Sequence, residues 1–180
     1  MNIAITQREM NIKGWVYDCI QQDWHDFLRH HTIWAIPNTF MPVSKLSQTD
    51  CLILSGGNSS SLRDRTESLA VELFGDKPII GVCHGAFFLN RLYGGTTGTI
   101  EGHQGEDHNI KMESATHLVN SYHKAKIETL ADCLEPIAFD ENGTVEAFKH
   151  KELPQWGIVW HPERMVTPVL PTEVKEIFNV

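Results

Sequence analysis

Pro78-Ile79-Ile80-Gly81-Val82-Cys83-His84-Gly85-Ala86-Phe87-Phe88-Leu89-Asn90 is the stretch from which the fold is read. A short apolar run rich in β-branched residues ends in Gly-Val-Cys-His-Gly. A helix-like segment follows and closes at Gly94-Gly95. Strand, sharp turn and helix in that order form a nucleophile elbow, here with cysteine where serine is more familiar. Gly81 and Gly85 flank Cys83 because so tight a turn leaves no room for side chains. The turn lifts Sγ clear of the sheet, and the helix aims free N–H groups and a partial positive charge at it, which favours thiolate. Taken alone, Cys83 fits equally a small buried residue at a strand end. The elbow therefore needs partners elsewhere in the chain.

Upstream of the elbow, residues 2–6 read as a short buried strand. Between residues 12 and 31, apolar Trp15, Val16, Cys19, Ile20, Trp24, Phe27 and Leu28 recur at helical spacing and predict one long amphipathic helix. Residues 33–37 read as a second strand ended by Pro37. Cys51–Leu54 is a third strand running into Ser55-Gly56-Gly57-Asn58, and Ser59 to Ser61 can cap a helix that Gly75 stops. Alternating strands and helices predict an α/β fold with a parallel sheet covered by helices on both faces. Beyond Gly98 the texture changes to short strands at 117–120, 126–129, 136–139 and 144–148. The Asn142-Gly143 turn marks a hairpin, so antiparallel strands should extend the parallel core. Residues 155–160 form a further buried strand followed at once by His161-Pro162-Glu163, and a short helix from Thr172 ends the chain. No linker or repeat divides residues 1–180, which are expected to form a single domain.

Composition narrows the chemistry. The net charge of −8 and the lack of a Lys/Arg-rich run argue against a nucleic-acid surface, while a local basic pocket for an anionic substrate stays open. No apolar run approaches membrane length and no leader pattern opens the chain, so the cytoplasm is the expected compartment, with no membrane partner. Cys19, Cys51, Cys83 and Cys133 are widely spaced and suggest free thiols rather than disulfides or a zinc knuckle. The cluster His103, Glu106, Asp107 and His108 has no helical H-x-x-x-H spacing, so it is expected to be a polar loop rimming the site rather than a metal centre. Gly94-Gly95-Thr96-Thr97-Gly98 follows a helix rather than a strand, unlike a dinucleotide loop. His30-His31 is expected at a helix C-terminus. Trp15 and Trp24 are expected in the core, with one able to edge a pocket.

A cysteine nucleophile needs a base, and the base needs a group to orient it. His161 follows a strongly apolar strand at its carboxyl end, where open α/β sheets place their sites. Glu163 can turn back to fix its tautomer, the part played by the acid of a Ser-His-Asp triad. Acyl transfer to sulfur also needs preorganised N–H donors for the oxyanion. The His84 amide is one candidate, and Gly57, on a glycine-bearing loop at a neighbouring strand end, is the other. That loop lacks the lysine of a nucleotide-triphosphate loop.

The elbow Gly-Val-Cys-His-Gly, the upstream Leu-Ser-Gly-Gly, Val-Asn-Ser-Tyr-His at 119–123 and Trp-His-Pro-Glu at 160–163 occur in the order of class I glutamine amidotransferases. The chain resembles especially their hydrolytic branch, the γ-glutamyl hydrolases of the C26 peptidase type, which Ile5-Thr6-Gln7-Arg8 and Arg63-Asp64-Arg65-Thr66-Glu67 also resemble. The resemblance implies a flavodoxin-like fold and cleavage of a γ-glutamyl amide through a thioester, with release of glutamate and no metal or cofactor. It implies Cys83 as nucleophile, His161 as base and acid, Glu163 as orienting carboxylate, and Gly57 and His84 as oxyanion donors. Gly56, Asn58, Asn120, Ser121, Tyr122 and His123 would line the substrate pocket. Many glutaminase members carry glutamine at the position of Phe87. The phenylalanine favours a γ-glutamyl compound larger than glutamine, and Lys124-Ala125 likewise replaces a more usual polar pair. Within the branch the chain looks most like the γ-glutamyl-CDP-amidate hydrolases, which act in phosphoramidate decoration of bacterial surface polysaccharide. The alternative is a glutaminase subunit that supplies ammonia to a separate synthase partner.

Overall fold

The computed structural model describes residues 1–39 and 43–179, apart from the side chains of residues 43–45. In chain order the strands and helices begin with β1 (Asn2–Thr6), β2 (Arg8–Ile12), β3 (Trp15–Cys19), α1 (Gln22–Phe27) and β4 (Thr32–Ile36). They continue with β5 (Cys51–Leu54), α2 (Ser61–Phe74), β6 (Ile79–Val82), α3 (His84–Leu92), β7 (Thr96–Thr99) and β8 (His108–Met112). The last are β9 (Ala115–Val119), β10 (Ala125–Thr129), β11 (Leu134–Asp140), β12 (Val145–His150), β13 (Gln155–Ile158) and α4 (Thr172–Phe178).

Nine strands form one sheet in the order β4-β1-β5-β6-β13-β12-β11-β8-β9. The five from β4 to β13 are parallel, and every pairing beyond β13 is antiparallel. The α/β architecture with antiparallel strands added in the second half is thus the one expected. Its physical basis lies in the burial. Every residue of β5, β6 and β13 is buried, as strands covered on both faces must be, whereas β9 and β11 mix buried and exposed residues.

Helix α2 follows its signals closely. Ser60 caps α2 by accepting a 3.1 Å hydrogen bond from the Arg63 amide, and Gly75 ends it at a φ of 52°. The long helix expected over residues 12–31 does not form. Lys13 and Gly14 take positive φ values of 53° and 87°, folding β2 and β3 into a hairpin, and only Gln22–Phe27 is helical. The apolar residues of β3 face outward, with Trp15 73% exposed, while Trp24 is buried against Phe27 in the core. His31 lies beyond the end of α1, its Nε2 3.3 Å from the Phe178 carbonyl. Thr96–Thr99, from the glycine-threonine run after α3, pairs with β10 in a small separate sheet. Among the described residues no helix is long and apolar enough to cross a membrane.

Candidate active site

Strand β6 delivers Cys83 and α3 begins at the next residue. The Cys83 amide completes the ladder to the Ile158 carbonyl at 2.8 Å, and its own carbonyl receives the Phe87 amide at 3.1 Å. To satisfy both, Cys83 adopts φ 51°, a left-handed conformation costly for any residue with a Cβ. The flanking glycines are compelled by space. A Cβ on Gly81 would lie 2.5 Å from the Gly85 carbonyl oxygen, and one on Gly85 would lie 2.1 Å from that of Leu54. The elbow is present as expected.

The parallel pairing of β13 with β6 brings the residues after β13 to the same end of the sheet. His161 is buried there. Its Nδ1 donates to Glu163 Oε1 at 2.7 Å, which leaves Nε2 available to the thiol of Cys83 at the end of the paired strand β6. Burial disfavours the imidazolium, but the bonds to Cys83 and Glu163 outweigh it and raise His161 to about 9. Asn120 clamps the backbone at this point: its Oδ1 accepts from the His161 amide at 2.8 Å and its Nδ2 donates to the His161 carbonyl at 2.9 Å. Asn120 thus holds the imidazole's own residue in place. Tyr122 sits edge-on to the His161 ring with centroids 5.8 Å apart.

Gly56 packs under the histidine, since a Cβ there would lie 2.6 Å from His161 Cε1. What holds this loop carries no local signal in the sequence. Arg63 is fully buried and donates to the carbonyls of Ser55, Gly56 and Asn58, at 3.3 Å for Gly56 and 3.2 Å for Asn58. Glu67 pairs with Arg63 at 3.0 Å and receives Thr6 Oγ1 at 2.8 Å and His84 Nε2 at 3.1 Å. Burial would raise its carboxyl, but the bond from His84 and the charge of Arg63 hold it below the ordinary carboxylate range. One buried ion pair therefore anchors both the glycine loop and the first residue of α3.

A pocket of about 510 Å³ opens beside Cys83, lined among others by Gly57, Asn58, Phe87, Arg91, Tyr122 and Lys124. Of the expected lining residues, Asn58, Tyr122 and His123 line this pocket, as does the oxyanion candidate Gly57; Gly56 and Asn120 are not among its lining residues, and Ser121 is buried and donates to the His103 carbonyl at 2.6 Å. Arg91 and Lys124 bring positive charge to a pocket in an acidic chain. The polar segment 102–108 is only partly a rim. Gln104 lines the pocket, whereas His103 turns inward and His108 opens β8, both toward Glu146 of β12. Phe87 is buried with its ring edge-on to His123 at 5.8 Å.

Comparison with known proteins adds an independent view. Residues 24–178 match the family described as glutamine amidotransferase class-I. The chain is 32% identical over 186 aligned positions to a gamma-glutamyl-CDP-amidate hydrolase of Campylobacter jejuni, an alignment covering 91% of this chain and 90% of that protein. It is 28% identical to one subunit of a glutamine-hydrolysing GMP synthase from Methanococcus vannielii, over 67% of this chain and 68% of that one. The crystal structure of a putative GMP synthase subunit from Thermoplasma acidophilum superposes with a TM-score of 0.78 at 21% identity, covering 99% of this chain and 92% of that chain.

Proposed function

The chain belongs to the class I glutamine amidotransferases, and from that premise we propose that it is a cysteine-dependent hydrolase of a γ-glutamyl amide with an anionic leaving group, a γ-glutamyl-CDP-amidate being the first candidate. The observation that carries the chemistry is the buried His161 ring, oriented by Glu163 at 2.7 Å and electrostatically coupled to Cys83.

In this scheme His161 takes the Sγ proton of Cys83 and the sulfur attacks the γ-carbonyl carbon. The C–O π pair moves onto oxygen, giving a tetrahedral oxyanion. The His84 amide, at the first position of α3, supplies one donor. We assign the second to the Gly57 N–H: the Gly56 carbonyl is directed at Arg63, so the N–H of the same trans peptide points away from Arg63. Collapse breaks the C–N bond while His161 returns the proton to the leaving nitrogen. Water then adds to the thioester, giving its proton to His161, and C–S cleavage releases glutamate and restores the thiol. Glu163 stays ionised and keeps the imidazole in the tautomer that presents Nε2 to sulfur.

The substrate assignment is supported by Phe87, which puts an apolar ring where glutaminases bring an amide, and by Arg91 and Lys124, whose charges suit a diphosphate. The name of the Campylobacter jejuni relative points the same way. A glutaminase subunit working with a synthase is the second possibility, favoured by the GMP synthase relatives.

Glutamate release from γ-glutamyl compounds, including a nucleotide-linked γ-glutamyl phosphoramidate, by the purified chain distinguishes them. Unaided release, with the charged substrate preferred over glutamine, is expected. Cys83→Ala should retain its circular dichroism and lose at least about 10³-fold in kcat, the scale of deleting a nucleophile. Turnover undiminished in that variant would refute the cysteine mechanism, and activity that appears only on adding a synthase would establish the second reading.

A further inference from the structure

Behind the pocket wall, away from Cys83, His161 and Glu163, three imidazoles converge on one carboxylate. His103 Nδ1 is 3.7 Å from Glu146 Oε1, while His108 Nε2 and His123 Nε2 are 3.6 and 3.9 Å from Glu146 Oε2. Glu146 is fully buried, His103 and His123 nearly so, and His108 is only slightly exposed. These separations are too long for hydrogen bonds. Accordingly both oxygens of Glu146, His103 Nδ1, His108 Nε2 and His123 Nε2 have no hydrogen-bond partner. A buried carboxylate facing imidazole nitrogens without a bond to any of them is strongly unfavourable unless something sits between them.

We propose that His103, His108, His123 and Glu146 bind a divalent transition-metal ion of the zinc class, which fastens the outer wall of the pocket to the antiparallel half of the sheet.

The donor set is one that zinc takes, with imidazole nitrogens and a carboxylate oxygen in tetrahedral array. Bonds of about 2.0–2.1 Å give a tetrahedron with edges of roughly 3.3–3.4 Å. The carboxylate–imidazole gaps of 3.6–3.9 Å exceed those edges by a few tenths of an ångström. Donor atoms of His103, His108 and Glu146 lie within 4.8 Å of one another, whereas His123 lies outside this tighter group and must move in to complete the set. One outer contact also resembles that of a metal-bound histidine. His123 Nδ1 donates to the Ala125 carbonyl at 2.7 Å, which turns Nε2 and its lone pair inward in the neutral ring. The other nitrogen of His103, Nε2, faces Asp140 Oδ2 at 3.6 Å. That oxygen is itself unpartnered, while its Oδ1 is held by the Asn142 and Thr144 amides.

The backbone preorganises the set. Segments 103–105 and 121–123 are joined by Gly105 N to Ser121 O at 2.7 Å and His123 N to His103 O at 3.0 Å, while His108 and Glu146 stand on β8 and β12. Gln104, Tyr122 and His123 also line the pocket, so the ion would brace the surface on which substrate rests. A second carboxylate–histidine group, Asp64, Glu67 and His84, differs in being neutralised already. Arg63 pairs with Glu67 and Arg91 lies 3.8 Å from Asp64.

The full chain carrying Cys83→Ser, which removes the reactive thiol as a competing ligand, is first assayed for metal as purified. It is then stripped with chelator and titrated with Zn²⁺, and separately with Co²⁺ as a spectroscopic probe. One equivalent of Zn²⁺ should bind and raise Tm, and Co²⁺ should give the intense visible bands of a tetrahedral site. His108→Gln, the most accessible ligand, should weaken Zn²⁺ binding by at least about 100-fold, beyond the usual effect of losing an outer partner. Asp64→Asn should leave binding unchanged. If Glu146→Gln does not fold, the Co²⁺ spectrum and His108→Gln still decide. Substoichiometric Zn²⁺ with no Co²⁺ bands, or full affinity retained in His108→Gln and His103→Gln alike, would overturn the proposal. Neither result bears on glutamate release by the wild-type chain.

Discussion

His161 carries three loads at once: burial, a sulfur on one side and a carboxylate on the other. Burial acts against its charged form, yet the bonds to Cys83 and Glu163 lift it to about 9, above the ordinary value of about 6.5. The folded chain therefore binds this proton more tightly than the unfolded chain. The resulting stabilisation is complete below about 6.5 and disappears as pH rises through about 9. Urea unfolding of wild type and of His161→Gln should show a stability difference that is largest near pH 6 and shrinks steadily toward pH 9.5. A difference that stays flat or widens with pH would mean that the imidazolium is not held by these partners. At this scale Cys83, His161 and Glu163 were all legible as a constellation, because each sits in a local pattern: glycines around the cysteine, an apolar strand before the histidine, a proline between histidine and glutamate. Arg63, Glu67 and Glu146 were not. Their partners are brought to them by packing of separate elements, and nothing in their immediate neighbours marks a buried charge.

Strand β6 and helix α3 show how an element can be dictated by a few positions. An ordinary glycine inside a helix is weaker than alanine by about 1 kcal/mol. Gly85 reverses that preference, since a Cβ would lie 2.1 Å from the Leu54 backbone oxygen on the neighbouring strand β5. Gly85→Ala should destabilise the fold by roughly 1–3 kcal/mol, the cost of overpacking, and should displace the first turn of α3. Gly14→Ala tests the contrast. Gly14 has φ 87° but open space around it, so only backbone strain of about 1–2 kcal/mol opposes the change, and the site is untouched. Denaturant midpoints with glutamate-release rates separate the cases: Gly85→Ala should lose activity out of proportion to stability, Gly14→Ala should keep it. Equal activity losses would refute the distinction. The hairpin around Gly14 is also where periodicity misled. Trp15, Val16 and Cys19 fit a helical face together with Ile20 and Trp24, but Lys13-Gly14 is a turn. β-Branched and aromatic residues in β3 favour strand, and burial does not arbitrate because Trp15, Val16 and Tyr17 are exposed.

Across the whole molecule the labour is divided at β13. The parallel side supplies Cys83, the Ser55-to-Asn58 loop and, at its last strand, His161. The segments between α3 and β11 supply much of the pocket wall, and the antiparallel side supplies the acidic end of the histidine cluster. That division invites the question of whether the halves are separable units. The hydrogen-bonded sheet runs without interruption from β4 to β9, and β13 pairs on one edge with β6 and on the other with β12. Trp156 and Trp160 lie at this seam, buried, and Trp160 donates to the Val169 carbonyl at 2.9 Å. Loss of either half would strip one edge of β13 and expose both indoles, so the halves should unfold together. Guanidinium titrations followed by tryptophan fluorescence, far-ultraviolet circular dichroism and glutamate release should give one coincident transition. Replacing Trp160 by phenylalanine should move all three midpoints to lower denaturant by the same amount. Midpoints that separate, with glutamate release lost while most ellipticity survives, would show that the antiparallel strands are an independently stable appendage, and the single cooperative unit inferred from the continuous sheet would have to be abandoned.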